Sequence, residues 1–337
     1  MGVEINKNIH SPSIPSPRIS IGLPVYNGEL YIEEAIESII NQTFTDFELI
    51  ISDNASTDRT SEICNKYAQK DSRIRYYRQS QNHGACRNHN IVFKLARGEY
   101  FKWAAHDDCM STDYLKKCVD VLDHYPDIVL CHTRIRFIHQ DEGRVSNYFE
   151  KHKNINDSQM SRRFGEIITT RYAYLIFGVF RRHVLQQTSL LRNTIGSDRF
   201  LLAEMSLRGR FYEIPDYCFY VRDHKDRLSR IPLFYLHSRW WDTSKKVTTF
   251  VFPHWRHLIE YYWCLNRAHV HGKERRKCYI KLLLLLKNDI YWCKMLSDPL
   301  IALMPQSLKI LSEIKQWIDH EHSLRQPAKR VSTPLFS

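Results

Sequence analysis

Acidic side chains stand at the ends of two short apolar segments, where carboxylates can hold cations or accept protons. Asp53 ends one apolar run, and the adjacent Asp107 and Asp108 follow another. Carboxylates of this kind bind Mg²⁺ or Mn²⁺ together with substrate phosphates. Asp198 precedes an amphipathic segment further along the chain. For Asp107 and Asp108 the alternative is a helix cap, because Asp before a helix accepts hydrogen bonds from its free N–H groups.

The elements that position these residues follow from an alternation of β-rich runs and amphipathic segments between about residues 18 and 132, which predicts βαβ units. The pattern predicts strands at 19–25, 47–52, 74–78 and 100–104, and a helix around 87–96. Ligands of open parallel sheets bind beyond the carboxyl ends of the strands. We therefore expect Pro24 and Tyr26, Asp53, and the pair Asp107 and Asp108 to converge there.

Glycine-rich phosphate-binding patterns do not follow the first predicted strand. This argues against a dinucleotide-binding Rossmann domain and against a P-loop nucleotidase. A pocket that holds phosphates therefore needs a different device, and a divalent metal on carboxylates is the obvious one.

Four segments in order resemble the family 2 glycosyltransferases of the GT-A fold, and the resemblance runs from residue 19 to about 230. The segments are Gly22–Asn27, Ser52–Thr60, Asn82–Asn88, and Ala96–Tyr100 running into His106–Asp108. The resemblance implies an α/β fold of GT-A type, a Rossmann-like mixed sheet flanked by helices, with a helical C-terminal extension.

The resemblance also implies a nucleotide site. Asp53 matches the acid that accepts a hydrogen bond from the nucleotide base, usually uracil, and a carboxylate suits a ring N–H donor. Pro24 and Tyr26 match the floor under the base and ribose. Arg87 matches a basic residue near the diphosphate, with a surface salt bridge as the alternative, and Asp107 is expected at the same site.

The metal motif departs from the D-x-D form of the family, because Ala105 stands at its first position and His106 at its middle. We expect Asp107 to bind Mn²⁺ or Mg²⁺, with Asp108 in support. His224, in a Tyr-Arg-x-His-like element, is a further candidate ligand or a diphosphate contact, and His106 is either a ligand or a hydrogen-bonded histidine. Arg222 of the same element is expected to stabilise the leaving diphosphate.

Asp198 matches the acidic signature that opens an acceptor-side helix in this family. The implied role is a general base that takes a proton from the acceptor hydroxyl, and the alternative is the N-cap of that helix. The implied reaction inverts the anomeric centre. It moves a sugar, expected from a UDP-sugar, to a saccharide or lipid-linked saccharide in cell-surface or extracellular polysaccharide synthesis.

The composition predicts a chain that folds around a sizeable core, because 43% of its 337 residues are hydrophobic. Its nine cysteines are scattered and form no C-x-x-C pair, which favours reduced thiols and a cytoplasmic protein. Apolar runs are too short for a membrane span, and the start lacks a signal peptide pattern. We predict a flexible tail at 1–17, a GT-A domain at 18–235 and a helical region at 236–337.

The C-terminal region from residue 239 carries much of the net charge of +12, with 17 Lys and Arg against 8 Asp and Glu, and six of the seven Trp. A basic, Trp-rich helical segment is typical of a peripheral contact with an anionic membrane, here the inner face. The alternative is packing on the catalytic domain or on a second subunit. Nucleic-acid binding is not expected, because no binding motif accompanies the basic residues.

The competing function is a catalytically silent GT-A-like protein that binds a nucleotide sugar or acts as a scaffold, which the altered D-x-D motif favours. Turnover of the donor with Mn²⁺ distinguishes the two. The segment 147–171, where acceptor specificity is expected, contains no motif that we can interpret, and the oligomeric state stays open.

Overall fold

The computed structural model describes residues 16–140, 142–148, 150, 152–170, 173–194, 196–224 and 252–287, with positions 292, 293, 295, 296, 298 and 299. Residues 1–15 of the predicted tail at 1–17 and the predicted domain boundary at 235 lie outside the described residues. So do Trp240, Trp241 and Trp317.

Nine strands form one mixed sheet in the described part of the chain. They are β1 (Ile19–Val25), β2 (Phe47–Asp53), β3 (Ile74–Arg78), β4 (Tyr100–Trp103), β5 (Cys109–Met110), β6 (Ile128–His139), β7 (Arg144–Tyr148), β8 (Val179–Arg181) and β9 (Arg210–Asp223). The strand order is β3-β2-β1-β4-β8-β6-β9-β5, and β7 pairs with β6. The four strands predicted from the sequence are present, with ends shifted by at most one residue.

The parallel pairs β1–β2, β2–β3 and β1–β4 bring the carboxyl ends of these strands to one edge, with Val25 paired to Asp53. Strand β8 runs antiparallel to β4 and β6, whereas β6 and β9 are parallel. Pro24, Tyr26 and Asp53 therefore lie at the same edge of the sheet, and the loop that carries Asp107 and Asp108 follows β4 there, as the sequence pattern predicted.

Helices cover both faces of the sheet. They are α1 (Ile32–Ile40), α2 (Thr60–Lys70), α3 (Ala85–Leu95), α4 (Tyr114–His124), α5 (Met160–Thr169), α6 (Arg182–Leu185), α7 (Ser197–Ser206), α8 (Pro253–Arg267) and α9 (Gly272–Leu285), with a 3₁₀ turn at Tyr174–Phe177. Residues of α1, α2 and α4 pack in one apolar cluster, and residues of α3, α5, α7, α8 and α9 in the other.

The described C-terminal helices pack on the catalytic domain. Tyr261 and Cys264 of α8 and Leu282 of α9 are buried in the same cluster as Phe164 and Phe200. Of the two interpretations left open by the sequence, packing on the domain therefore holds for the inner faces of these helices. No disulfide joins any of the nine cysteines, all of which lie in the described ranges, and Cys293 is the exposed one.

None of the helices in the described ranges combines the length and the apolar content that crossing a bilayer requires.

Candidate active site

The loops after β1 and β2 hold each other by hydrogen bonds. Asn27 has a positive φ of 52°, a conformation that Asn tolerates better than most residues. Its backbone N–H donates to the Ser56 hydroxyl at 2.9 Å, and its side-chain oxygen accepts the Thr57 N–H at 2.9 Å. This turn leaves Pro24 buried and the Tyr26 ring exposed at the edge of the sheet, and their role as a floor under a base and ribose stays a prediction.

Asp53 is fully buried at the end of β2. Its Oδ1 accepts the Ser56 N–H and its Oδ2 accepts the Tyr76 hydroxyl, both at 2.8 Å. The Arg78 guanidinium lies 3.6 Å from Oδ2. These protein donors account for the burial of the carboxylate, and its contact with a nucleotide base stays a prediction.

Paired amides connect the loops further. Asn88 is buried in α3, where its amide donates to the Ser52 carbonyl at 2.8 Å and its oxygen accepts the Ser52 hydroxyl at 2.6 Å. Asn54 donates to Asn82 at 2.8 Å. The predicted diphosphate contact, Arg87, is exposed in the first turn of this anchored helix, where free N–H groups favour anions.

The loop after β4 is joined to the loop after β1 through His106. A Cβ at Gly28 would lie 2.7 Å from Cδ2 of the His106 ring, so only glycine allows this approach without a shift. His106 therefore connects the candidate nucleotide floor with the candidate metal motif by direct packing.

Asp108 and Arg222 anchor the metal motif to β9. Asp108 is nearly buried, and its Oδ1 accepts the Arg222 N–H at 3.0 Å. The Arg222 side chain is also nearly buried; it donates to the Asp107 carbonyl at 3.1 Å and to Gln140 at 2.7 Å, and it pairs with Glu34. In this arrangement both residues hold the loop in place, while their predicted roles with metal and diphosphate stay predictions.

Asp107 and His224 are brought together at the end of β9. Nε2 of His224 lies 3.1 Å from Oδ2 of Asp107. A carboxylate only accepts, so Nε2 carries the proton in this contact. His224 is 7% exposed, and its Nδ1 has no hydrogen-bond partner in the described part of the chain. The sequence analysis named both residues as metal ligands, and the structure makes them neighbours.

A divalent metal on this pair, sharing its coordination with a substrate, stays a prediction. Groups of three or more His, Cys, Asp or Glu able to hold an ion are not found among the described residues. Mg²⁺ and related ions, however, are commonly held by one or two protein carboxylates plus phosphates and waters. Nδ1 of His224 lies on the side of the ring away from Asp107, so an ion held by both residues would take the place of the proton between Nε2 and Oδ2.

Asp198 lies in the first turn of α7. The N-cap position is Gly196, so Asp198 is not the cap; its Oδ1 accepts the Arg199 N–H at 2.8 Å. Burial raises the pKa of the Asp198 carboxyl, and the Arg199 charge and backbone hydrogen bonds oppose that effect. A carboxylate with a raised pKa is a better proton acceptor, as a general base requires.

Helix α8 supplies contacts to α7 that sequence reasoning missed. Glu204 of α7 is fully buried and pairs with Arg267 of α8 at 2.9 Å, and Arg192 pairs with Glu260 of α8 at 2.8 Å. No local pattern signals these ion pairs, because their members are distant in sequence.

Comparison with solved structures defines the class of fold. S. aureus TarS 1-349 in complex with UDP-GlcNAc matches over 90% of this chain and 92% of that chain, with a TM-score of 0.52 and 16% identity. The same fragment in complex with UDP matches over 87% and 83%, with a TM-score of 0.51 and 19% identity. The expected GT-A fold is thereby confirmed.

The family is defined by sequence. Residues 20–188 match the model of glycosyl transferase family 2, and the chain belongs to this family. The uncharacterized glycosyltransferase EpsJ of Bacillus subtilis is 31% identical over 180 residues, which are 52% of this chain and 51% of EpsJ. The GalNAc(5)-diNAcBac-PP-undecaprenol beta-1,3-glucosyltransferase of Campylobacter jejuni is 26% identical over 58% of this chain and 62% of that protein. The chain thus spans about half of the length of EpsJ.

Proposed function

We propose that the protein is an inverting, metal-dependent glycosyltransferase. It moves a sugar from a nucleoside diphosphate donor, UDP-sugar in the first instance, to a hydroxyl of a cell-surface or extracellular polysaccharide. The observation that carries the proposal is the pairing of Asp107 with His224 at 3.1 Å, at the edge where the loops after β1, β2 and β4 meet.

Each residue then has a defined task. The buried Asp53 orients the base, with Tyr26 and Pro24 beneath it and Arg87 near the diphosphate. Asp107 and His224 would hold Mn²⁺ or Mg²⁺, with Asp108 fixing the loop; the ion supplies Lewis-acid stabilisation of the leaving diphosphate. Arg222 adds a fixed positive charge beside the same loop.

The chemistry is a direct displacement. Asp198 accepts the proton of the acceptor hydroxyl while that oxygen forms its bond to the anomeric carbon. The bond from the anomeric carbon to the diphosphate oxygen breaks, and its electron pair leaves with the nucleoside diphosphate. Attack from the opposite face inverts the anomeric centre, and the enzyme forms no covalent intermediate.

Thermal stabilisation tests the donor site. A nucleotide at 100 times its dissociation constant adds about 2.7 kcal/mol to the folded state. We expect a shift with UDP that exceeds those with GDP, dTDP and CDP, grows with Mn²⁺ and is lost in Asp107→Ala. Asp120→Ala removes an exposed carboxylate of α4 and should behave as wild type. Equal thermal shifts with all four nucleotides, or no shift with any of them, contradict the proposal.

A catalytically silent GT-A-like nucleotide-sugar-binding or scaffold protein is the alternative. Ala105 at the first position of the metal motif favours it, because a family ligand is missing there. The two proposals are distinguished by measuring the release of UDP in the presence of crude glycan acceptors. The donors are UDP-glucose, UDP-galactose and their N-acetylated forms. Donor binding without release of UDP supports the silent protein.

Contact with a membrane forms a second part of the proposal. Trp255, Ile259 and Trp263 of α8 and Ile280 and Leu283 of α9 are exposed. Exposed basic residues accompany them: Arg256, Lys273, Arg276 and Lys277. Exposed rings and cations on the same two helices suit an anionic bilayer, and a lipid-linked acceptor would lie there. The cytoplasmic location at the inner face stays a prediction.

Sedimentation with vesicles tests the membrane contact. We expect binding to vesicles that contain phosphatidylglycerol, weaker binding to phosphatidylcholine alone, and loss of binding in the Trp263→Ser, Leu283→Ser double variant. Tyr125→Ser alters an exposed ring of the catalytic domain and serves as the control. Equal sedimentation of the double variant and wild type contradicts the contact.

A further inference from the structure

The loop that leads into α7 has a backbone that its surroundings must hold in place. Residues 188–194, the pre-α7 loop, precede Gly196 and the candidate base Asp198. Leu190 in this loop has a positive φ of 54°, which residues with a Cβ rarely adopt. Such a conformation persists only where the surrounding structure fixes it. The contacts that fix the pre-α7 loop therefore bear on where Asp198 lies.

Asn90 of α3 holds this loop by a pair of hydrogen bonds to one residue. Its side-chain NH₂ donates to the Leu191 carbonyl at 2.7 Å, and its side-chain oxygen accepts the Leu191 N–H at 3.2 Å. The thiol of Cys86, one turn earlier in α3, donates to the same carbonyl at 3.2 Å. Leu191 is buried, and buried backbone groups need partners. Asn90 supplies the partners that the backbone of Leu191 requires.

Leu191 is connected to the candidate base by the next contacts along the chain. The N–H of Arg192 donates to the Ser197 hydroxyl. Ser197 is fully buried and begins α7, directly before Asp198. The Arg192 guanidinium donates to Glu260 of α8 at 2.8 Å, which holds Arg192 a second time. A shift of Leu191 would therefore move the first turn of α7, where Asp198 lies.

Helix α3 also belongs to the candidate donor site. Arg87, the predicted diphosphate contact, precedes Asn90 by three residues, so the two lie on neighbouring positions of the helix surface. Asn88 of the same helix is bonded to Ser52, which precedes Asp53 in β2. One helix thus carries a residue expected at the donor and a residue bonded to the pre-α7 loop.

We propose that Asn90 is a positioning residue for the transfer reaction. Its two hydrogen bonds to Leu191 set the distance between Asp198 and the donor that α3 helps to hold. Asn90 acts through Leu191 and Ser197 and not on the reacting atoms. Displacement of a reacting group by about 1 Å can lower a rate by about 100-fold, so a small shift of the loop is sufficient. The inference rests on the proposed function.

Amide hydrogen exchange on the full chain tests the hold on the loop. Asn90→Ala removes both hydrogen bonds to Leu191. We expect peptides that cover residues 189–198 to exchange about fivefold faster or more, the factor that one hydrogen bond of ordinary net strength contributes.

Ser20→Ala is the matched control, because Ser20 is also a buried side chain that holds a backbone segment. Its hydroxyl accepts the N–H groups of Arg97 and Gly98 at 3.0 and 2.7 Å. Ser20 lies near the start of β1, at the opposite edge of the sheet from the candidate site. The variant should leave the exchange of residues 189–198 unchanged.

Steady-state kinetics test the effect on transfer, with the UDP-sugar that wild type turns over in the presence of crude glycan acceptors. We expect the kcat of Asn90→Ala to fall about tenfold or more. The KM for the donor and the UDP-induced thermal shift should stay as in wild type. Ser20→Ala should lower the melting temperature and keep its kcat at temperatures where it is folded.

Asn90→Asp is the second variant, and it replaces Asn90→Ala if the latter does not fold. It keeps the shape of the side chain and the oxygen that accepts the Leu191 N–H, but it places a second oxygen against the Leu191 carbonyl. We expect the same loss of kcat, again with an unchanged KM for the donor.

A double-mutant cycle separates positioning of the base from a general loss of structure. If Asn90 acts through Asp198, Asn90→Ala should lower kcat little further in an Asp198→Asn background, because the group that it positions is already absent. If the two losses multiply in full, the effect of Asn90 belongs to the fold and the inference is overturned.

The outcomes distinguish the inference from the proposed function. Unchanged exchange of residues 189–198 in the Asn90 variants, or an unchanged kcat, overturns the role of Asn90 and leaves the proposed function in place. A wild type that binds UDP but turns over no donor rejects the proposed function. The role of Asn90 toward the base then falls with it, even where exchange of the loop is faster.

Discussion

The His257 ring occupies the space beside Gly196 at the start of α7: a Cβ at Gly196 would lie 2.6 Å from Nε2 of His257. Gly196 also has a positive φ of 78°, which side chains rarely adopt. Two independent constraints thus require glycine two residues before Asp198. The C-terminal helix α8 therefore packs directly against the segment that positions the candidate base.

Gly196→Ala should destabilise the protein and impair transfer. The positive φ costs about 1 kcal/mol for a residue with a Cβ, and the contact with His257 adds to it. We expect a loss of about 2 kcal/mol or more in the free energy of unfolding, measured by urea denaturation, and a lower kcat.

Gly143→Ala is the matched control, since Gly143 has a φ of 60° and nothing lies within 4 Å of its ideal Cβ. It should show the cost of the dihedral angle alone. The double variant Gly196→Ala, His257→Ala should regain the extra free energy of unfolding that Gly196→Ala loses compared with Gly143→Ala. Equal costs at Gly196 and Gly143 would remove the role assigned to His257.

Asp53→Asn should weaken both the fold and the nucleotide site. The buried carboxylate accepts from Ser56 and Tyr76, and Asn offers one oxygen and a misplaced NH₂ group instead. We expect the free energy of unfolding to fall by about 1–3 kcal/mol. We also expect the UDP-induced thermal shift to disappear. Tyr76→Phe removes a single donor to Asp53, and it should lose stability while UDP still binds. If Asp53→Asn binds UDP as wild type does, Asp53 is a structural residue.

Lys102 gives a pH dependence of stability. The side chain is fully buried, with its Nζ bonded to the Phe177 carbonyl and 4.6 Å from the Tyr114 ring. Burial lowers the pKa of Lys102 from 10.5 to about 7. Between these values the unfolded chain holds a proton that the folded protein lacks, so the free energy of unfolding rises with pH, by up to about 1.4 kcal/mol per unit.

Lys102→Met should abolish this contribution. Below pH 7 the lysine is charged in both states and its burial cost is present in full, so the variant should be more stable than wild type there. The difference in free energy of unfolding between the variant and wild type should shrink as the pH rises from 7 to 8. This range lies below the ordinary pKa of thiols, so the cysteines stay protonated in the unfolded chain. Urea denaturation at both pH values checks this, and a difference that does not change with pH contradicts it.

The strands and their polar ends were predictable because the signal is local. Ile19–Val25 and Phe47–Asp53 are apolar runs bounded by turn residues, and parallel pairing requires their ends to meet. Asp53, Asp107 and Tyr26 were placed at the sheet edge on this ground alone. The side-chain partners of Asp53 were not predictable, since Tyr76 reaches it from a neighbouring strand.

The contacts of α8 were not predictable, because they join segments far apart in sequence. No periodicity in the sequence indicates the contact of His257 with Gly196 or the ion pair of Arg267 with Glu204. Helical character of the C-terminal region was evident from composition, whereas its docking face was not.

Asp198→Asn should abolish transfer and leave nucleotide binding intact. If Asp198 is the general base, its loss lowers kcat by about 100-fold or more, because an amide does not accept the proton. The UDP-induced thermal shift should equal that of wild type, since the base acts on the acceptor. Glu62→Gln alters an exposed carboxylate of α2 and should retain full activity.

The pH profile gives an independent test of the same residue. Burial raises the pKa of Asp198 above its ordinary value of 3.8, and the base works only when deprotonated. The rate should therefore fall as the pH falls through that raised pKa, giving an acid limb above the range of an exposed aspartate. A kcat that stays constant down to about pH 4, the ordinary range of Asp, would assign the proton transfer to another group.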